Sequence, residues 1–349
     1  HEFVGHPLRK DYEASRSQPL SESQDIYFEP DPSLTAEQQA NREWINIGPS
    51  HPATHGTLRI MAELEGETIK RSKLEIGYLH RCFEKMCETH KYNQVIPYTD
   101  RLNYCSSPIN NMGWHMTVEK LIGAKIPKRA EYMRVIIMEL ARIADHIVCN
   151  AVIGVDTGAM TGFLYIFQWR EKIYEIFEEI CGARLTTNIG RIGGFDKEWS
   201  KTAWDKINEF LKEFPKGLKE FSNLLERNKI FMDRTINCGP ISAERALAYS
   251  FVGPNLRAAG VDYDVRVMNP YSSYEDFTFT VPVGTQGDTY DRFMVRQHEM
   301  WQSLSIIEQA IKKMPEGPMH ADLPDFFLPP KEQVYNSMEA LIYHFKIVM

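Results

Sequence analysis

The chain has 349 residues, 43% of them hydrophobic and 25% charged, an ordinary globular composition long enough for one large domain or two small ones. A formal net charge of −7 argues against nucleic acid as a partner, because phosphate binding draws on clustered Lys and Arg. The most apolar run, residues 133–155, is interrupted by Glu139, Arg142, Asp145 and His146, so it reads as a buried core helix, and any membrane association must come through partner subunits.

Residues 1–42 are polar, with Ser15, Ser17, Ser21 and Ser23 and a Pro30-Asp31-Pro32 turn, and read as an extended linker with one short helix over 35–42. Strand signals follow over 44–73, joined by Glu65-Gly66-Glu67. Inside this stretch lies Gly48-Pro49-Ser50-His51-Pro52-Ala53-Thr54-His55-Gly56. Two histidines four apart would share one face of a helix, but Pro52 pushes His51 into an extended conformation, and the glycines punctuate both ends as turn. His51 and His55 therefore sit on a tight loop feeding a strand in which Leu58, Ile60, Ala62 and Leu64 alternate with mostly polar residues. They are either ordinary turn residues satisfying backbone carbonyls or functional side chains presented by a rigid scaffold.

Helical periodicity dominates the rest: 79–90, 109–121, 132–152, 163–180, 204–225, 243–251, 291–314 and 331–348. The clearest is 132–152, where Met133, Ile136, Ile137, Leu140, Ile143, Ala144 and Ile147 trace one stripe. Between 260 and 287 the period drops to two among Pro, Tyr and Gly, which predicts a small strand or loop region. The fold class is mainly α with a small N-terminal β-sheet, an α+β arrangement.

The six cysteines, Cys82, Cys87, Cys105, Cys149, Cys181 and Cys238, contain no Cys-x-x-Cys, so the chain is expected to hold neither an iron–sulfur cluster nor zinc on its own and to keep free thiols in a reducing compartment. No Gly-x-Gly-x-x-Gly fingerprint appears, and NAD is expected to bind elsewhere. Three further residues could carry chemistry. Tyr104, in Asp100-Arg101-Leu102-Asn103-Tyr104, is a buried phenol with a satisfied hydroxyl or a proton donor. Asp156, at the apolar end of the long helix, is a cap for the next helix or a partner for a buried cation. Arg81, at a helix start, faces solvent or fixes a positive charge.

The histidine loop followed by Leu58-Arg59, together with Gly77-Tyr78-Leu79-His80-Arg81, Pro97-Tyr98-Thr99-Asp100-Arg101-Leu102-Asn103-Tyr104, Asp156-Thr157-Gly158-Ala159-Met160-Thr161, Arg191-Ile192-Gly193-Gly194 and Pro254-Asn255-Leu256-Arg257-Ala258, resembles the 49-kilodalton subunit of respiratory complex I, the proton-pumping NADH:quinone oxidoreductase. The likeness runs from about Trp44 onward. It implies a fold shared with nickel–iron hydrogenase large subunits over 44–349, with a C-terminal part continuing past Met349. Gly5-His6-Pro7-Leu8-Arg9-Lys10-Asp11-Tyr12 resembles the tail of the 30-kilodalton subunit, so residues 1–43 are expected to be the end of such a domain in a fused bacterial chain.

By resemblance His55 and Tyr104 bind the head group of a quinone, ubiquinone or menaquinone. A tyrosine keeps its proton until a quinol anion demands it, and a histidine can donate or accept. The family places Asp156 behind the second histidine of the loop, where quinone reduction would leave a charged His–Asp pair and couple redox to proton transport. His51 shares the loop, and Arg81 lies against the terminal 4Fe-4S cluster of an adjacent subunit. The implied partners are that subunit, the 30-kilodalton-like domain and the membrane arm. The implied location is peripheral, on the cytoplasmic side of a bacterial inner membrane or the matrix side in a mitochondrion.

One departure has a measurable consequence. The family commonly carries a histidine in Gly-Ala-Arg-Met-His, credited with making the cluster potential pH-dependent, whereas this chain reads Gly182-Ala183-Arg184-Leu185-Thr186. Threonine cannot titrate, so a redox titration of the cluster across pH should show a weaker slope than in relatives with histidine; a full slope would contradict this. Two alternatives carry different chemistry. A nickel–iron hydrogenase large subunit needs paired Cys-x-x-Cys ligands, and the N-terminal position here offers only Arg81-Cys82-Phe83-Glu84, with Cys87 out of spacing. The other is a non-catalytic scaffold bridging the two arms.

Overall fold

The computed structural model describes residues 35, 41–52, 54, 56–323 and 326–348. These fall into two compact units, 1–82 and 83–349. The predicted helix over 35–42, the 30-kilodalton-like motif at 5–12 and most of the 1–43 segment lie outside the described residues.

In the first unit, strands β1 (Arg42–Ile47), β2 (Arg59–Glu65) and β3 (Thr68–Glu75) form an antiparallel sheet in the order β1-β2-β3. β2 is central, and its register against β3 shifts between Glu63 and Leu64. Its burial is not the simple alternation that the sequence predicts, because Met61, Ala62 and Glu63 are all buried in succession. Glu63 tolerates this by pairing with Arg71 at 2.5 Å and Arg42 at 3.2 Å. Burial alone would raise its pKa, but the bond from Arg71, joined by Arg42, holds it below the usual value.

The second unit is helical and is built around α4. In chain order it comprises α1 (Phe83–Thr89), α2 (Tyr92–Thr99), a 3₁₀ turn (Tyr104–Ser106), α3 (Ser107–Ile122), α4 (Lys128–Asp156), α5 (Met160–Cys181) and α6 (Lys201–Leu225). There follow α7 (Lys229–Thr235), α8 (Ala243–Ala248), α9 (Gly253–Ala258), α10 (Val265–Met268), a second 3₁₀ turn (Tyr274–Asp276), α11 (Thr289–Lys313), α12 (Lys331–Asn336) and α13 (Met338–Val348).

The stripe predicted over 132–152 extends to 29 residues in α4, which packs against α3, α5, α11 and the first 3₁₀ turn. Met133, Ile136, Ile137, Leu140, Ile143, Ala144 and Ile147 are all fully buried. α6 then covers α5 with one apolar face, Ala203, Ile207, Phe210, Phe214, Leu218, Phe221 and Leu225, spaced by three and four. Each of its phenylalanines contributes about 1.5–3 kcal/mol by burial. The approach is close: a Cβ on Gly217 would stand 2.2 Å from the indole nitrogen of Trp169 on α5. Caps mark several ends. The hydroxyl of Ser200 accepts from Ala203 N at 3.0 Å, Asp288 Oδ1 accepts from Asp291 N at 2.8 Å, and Gly182 closes α5 in the left-handed conformation.

Three elements differ from the sequence reading. The helix predicted over 79–90 begins only at Phe83, because Gly77 and His80 close a turn and Cys82 adopts φ +53°. Over 260–287, where a small strand or a loop is expected, the loop alternative holds and carries α10 and a 3₁₀ turn; the Asp264 carboxylate, accepting from Arg266 N at 2.9 Å, starts α10. The predicted helix over 331–348 breaks at Ser337, which is extended, into α12 and α13. α2 has no counterpart in the sequence reading, because Pro97 inside it masks the helical signal.

Candidate functional site

In the first unit the histidine loop is a tight turn, as its proline and glycines predict. Thr54 donates to the carbonyl of His51 from both its N–H, at 3.1 Å, and its hydroxyl, at 2.8 Å. Gly48 has φ +96°, and a Cβ there would stand 2.0 Å from Leu58 O, so only glycine lets the chain turn back onto its own strand. His51 is exposed, and His55 lies outside the described residues. Arg81 is exposed on the turn before α1.

In the second unit Tyr104 opens a 3₁₀ turn, and its side chain is exposed rather than buried, at 47%. The turn itself is firmly held. The Asn103 amide donates to Ser106 Oγ at 2.8 Å and to Asp145 Oδ1 of α4 at 3.2 Å, while Asn110 donates to the Asn103 carbonyl at 3.0 Å. The phenol is therefore an exposed tip on a fixed base, which suits a donor to something outside the unit.

Asp156 is the last residue of α4 and is exposed. The N-cap of the following helix is Ala159, which makes no side-chain cap bond. The turn after Asp156 is held by Arg234 and Thr157: Arg234 of α7 donates to Thr157 O at 2.7 Å, and the Thr157 hydroxyl lies 2.9 Å from both Ile153 O and Gly154 O. Asp145 and Asp156 are eleven positions apart, close to three helical turns, so the Tyr104 turn and Asp156 meet the same side of α4 roughly 16 Å apart along its axis. Along that side Asp145, Cys149 and Val152 are only half-buried, unlike the opposite face. Burial pushes up the thiol pKa of Cys105 and Cys149, and the charge of Asp145 adds to the shift at both.

A family model described as "Respiratory-chain NADH dehydrogenase, 49 Kd subunit" matches residues 156–349. The NADH-quinone oxidoreductase D subunit of Flavobacterium johnsoniae is 67% identical over 306 residues, covering 87% of this chain and 74% of that protein. A second D-type NADH-quinone oxidoreductase subunit, from Cytophaga hutchinsonii, is 65% identical over 308 residues, covering 87% of this chain and 78% of its own length. The chain belongs to the 49-kilodalton subunit family. The C/D-type NADH-quinone oxidoreductase subunit of Bdellovibrio bacteriovorus is 50% identical over 350 residues, covering all of this chain and 62% of that protein.

For this 49-kilodalton family member, two of the motifs that carry the resemblance have structural explanations. In Arg191-Ile192-Gly193-Gly194, the N–H of Gly193 donates to Glu119 Oε1 at 2.6 Å, and Arg134, paired with Glu119 at 2.5 Å, donates to Arg191 O at 3.1 Å. A Cβ on Gly194 would stand 2.1 Å from Met319 O. In Pro254-Asn255-Leu256-Arg257-Ala258, Asn255 accepts from Arg296 at 3.0 Å and Arg257 pairs with buried Glu299 at 2.6 Å. Thr186 is half-buried and holds φ +52°, a left-handed conformation that costs a β-branched residue on the order of 1–3 kcal/mol. Asn103 and Asp145 carried no site signal in the sequence beyond Asp145 being a carboxylate inside an apolar run. Among the described residues no group of three or more His, Cys, Asp or Glu could hold a metal ion, and no helix is long and apolar enough to cross a membrane.

Proposed function

We propose that this chain is the quinone-site subunit of a proton-translocating NADH:quinone oxidoreductase. The observation that carries the reading is the exposed phenol of Tyr104, on a turn bonded to the helix that ends in Asp156, in a chain of the 49-kilodalton family. Reducing a quinone to a quinol takes two electrons and two protons. The electrons come from a 4Fe-4S cluster on an adjacent subunit, beside which Arg81 places a fixed positive charge. Tyr104 supplies a proton to one ring oxygen and His55 serves the other, with His51 shaping the loop. On the family resemblance, Asp156 is the charge partner of His55 and takes up the charge change when the proton leaves.

The same reading assigns a hydrogenase-large-subunit-like fold to 44–349 and a 30-kilodalton-like domain preceding it, as in the C/D relative. It puts the chain peripherally on the cytoplasmic side of a bacterial inner membrane, attached through the membrane arm, with NADH bound on another subunit. Asp156→Asn tests the coupling. Quinone reduction and proton pumping by the assembled complex should fall roughly tenfold or more, because a group that orients and charges a site histidine is lost. Wild-type levels of both would reject the role.

A further inference from the structure

We infer that Asp145 is a positioning residue for Tyr104: through the side-chain amide of Asn103 it fixes onto α4 the turn that carries the phenol. This rests on the reading of Tyr104 as a quinone-site residue. Tyr104 is half exposed, so packing alone does not set its direction. The residue before it is pinned at both ends. Its carbonyl accepts from Asn110 Nδ2 at 3.0 Å and from Ser106 N at 3.2 Å, and its amide group spans Ser106 Oγ and Asp145 Oδ1. Of these contacts, the bond to Asp145 is the one to α4; the others lie within the turn and α3.

Asp145 is built to remain an ionised acceptor. Burial alone would raise its pKa, but the His146 ring, the Asn103 amide and the charge of Arg296 on α11 outweigh it and hold the carboxyl below its ordinary value. The thiols of Cys105 and Cys149 also face it. A carboxylate makes a stronger bond to an amide N–H than a neutral acid does. Behind Asp145 the polar contacts run into the core. His146 Nδ1 lies 3.8 Å from Asp145 Oδ2, within ion-pair range though too long for a hydrogen bond, and its Nε2 lies 2.7 Å from Glu299 Oε2. Glu299 in turn holds Arg257 through Nε at 2.7 Å and a second nitrogen at 2.6 Å. His146, Glu299 and Arg257 are at most 5% exposed. The tether of the Tyr104 turn is thus the surface end of a buried run of polar contacts that ends in the Glu299–Arg257 ion pair, a stiffer anchor than an isolated surface carboxylate. Stiffness bears on function because a proton donor must come within about 2.6–3.2 Å of its acceptor, and small misplacements cost large factors in rate.

The test uses the assembled complex in membrane vesicles carrying Asn103→Ala, Asp145→Ala, Asp145→Asn or the first two together. NADH oxidation is followed with ferricyanide, which needs no quinone site, and with decylubiquinone. Each alanine variant should lose roughly tenfold in kcat/KM for decylubiquinone, mostly through kcat, with the ferricyanide rate unchanged. Asp145→Asn, which keeps an acceptor oxygen, should fall between. The double variant should be no worse than the worse single one, because both remove the same bond. Wild-type kcat/KM in both alanine variants, or effects that simply add, would overturn the inference. Should Asp145→Ala fail to assemble, Asn103→Ala, on the exposed turn, decides alone. If Tyr104→Phe abolishes quinone reduction while Asn103→Ala and Asp145→Ala do not impair it, only this inference falls; if Tyr104→Phe itself is harmless, the quinone-site reading falls with it.

Discussion

Glu139→Ala should destabilise the protein by about 3–5 kcal/mol, the cost of stranding buried charges by removing their partner. Glu139 is fully buried in α4. It accepts from Arg142 at 3.2 Å, Arg266 at 3.0 Å, the Tyr274 hydroxyl at 2.5 Å and Ser303 Oγ at 2.6 Å. Truncation would take the carboxylate from Arg142, leave Arg266, 2% exposed, with Asp264 at 2.7 Å as its remaining partner, and remove the acceptor of Tyr274. Burial by itself would push the Glu139 carboxyl up; the charges of Arg142 and Arg266 and the two hydroxyls override it and bring its pKa down to about 2.

A folded-state pKa below the ordinary glutamate value means that this stabilisation is complete above roughly pH 4.5 and is lost as pH falls toward 2. Urea unfolding of the purified protein at pH 7 checks the magnitude. The same experiment at falling pH should show wild type losing stability more steeply than Glu139→Ala, which has no such proton to take up. A loss under about 1 kcal/mol at pH 7, or equal acid slopes, would show that the pairs are not worth what their geometry implies.

That network also shows what could and could not be read from the residues. The run 133–155 betrayed its helix by period, and α4 is where the pattern puts it. Four of the polar residues that interrupt the run, Glu139, Arg142, Asp145 and His146, argue in the sequence only against a membrane span. The distant partners, Arg266 for Glu139 and Glu299 for His146, lie more than a hundred residues away, and no local pattern pairs positions at that separation. Likewise the glycines of the histidine loop announced a tight turn, while the clash of a Gly48 Cβ with Leu58 O becomes visible only once the strand is in place. Tyr104 was read as buried or catalytic from its motif; its exposure, and its tether through Asn103 to Asp145, depend on a helix that begins some twenty residues later. The period of two over 260–287 leaves a small strand or a loop open, and the loop holds, with a short capped helix where Asp264 turns its carboxylate onto its own backbone and onto Arg266.

Tyr104→Phe tests the central claim most directly, since it removes one oxygen from an exposed ring that makes no hydrogen bond among the described residues. Folding stability should stay within about 0.5 kcal/mol of wild type. In the assembled complex, NADH oxidation with ferricyanide should be unchanged, whereas turnover with quinone should fall about 100-fold or more, the scale of a lost general acid. If the variant reduces quinone at the wild-type rate, Tyr104 donates no proton there and the chain's quinone site must lie elsewhere.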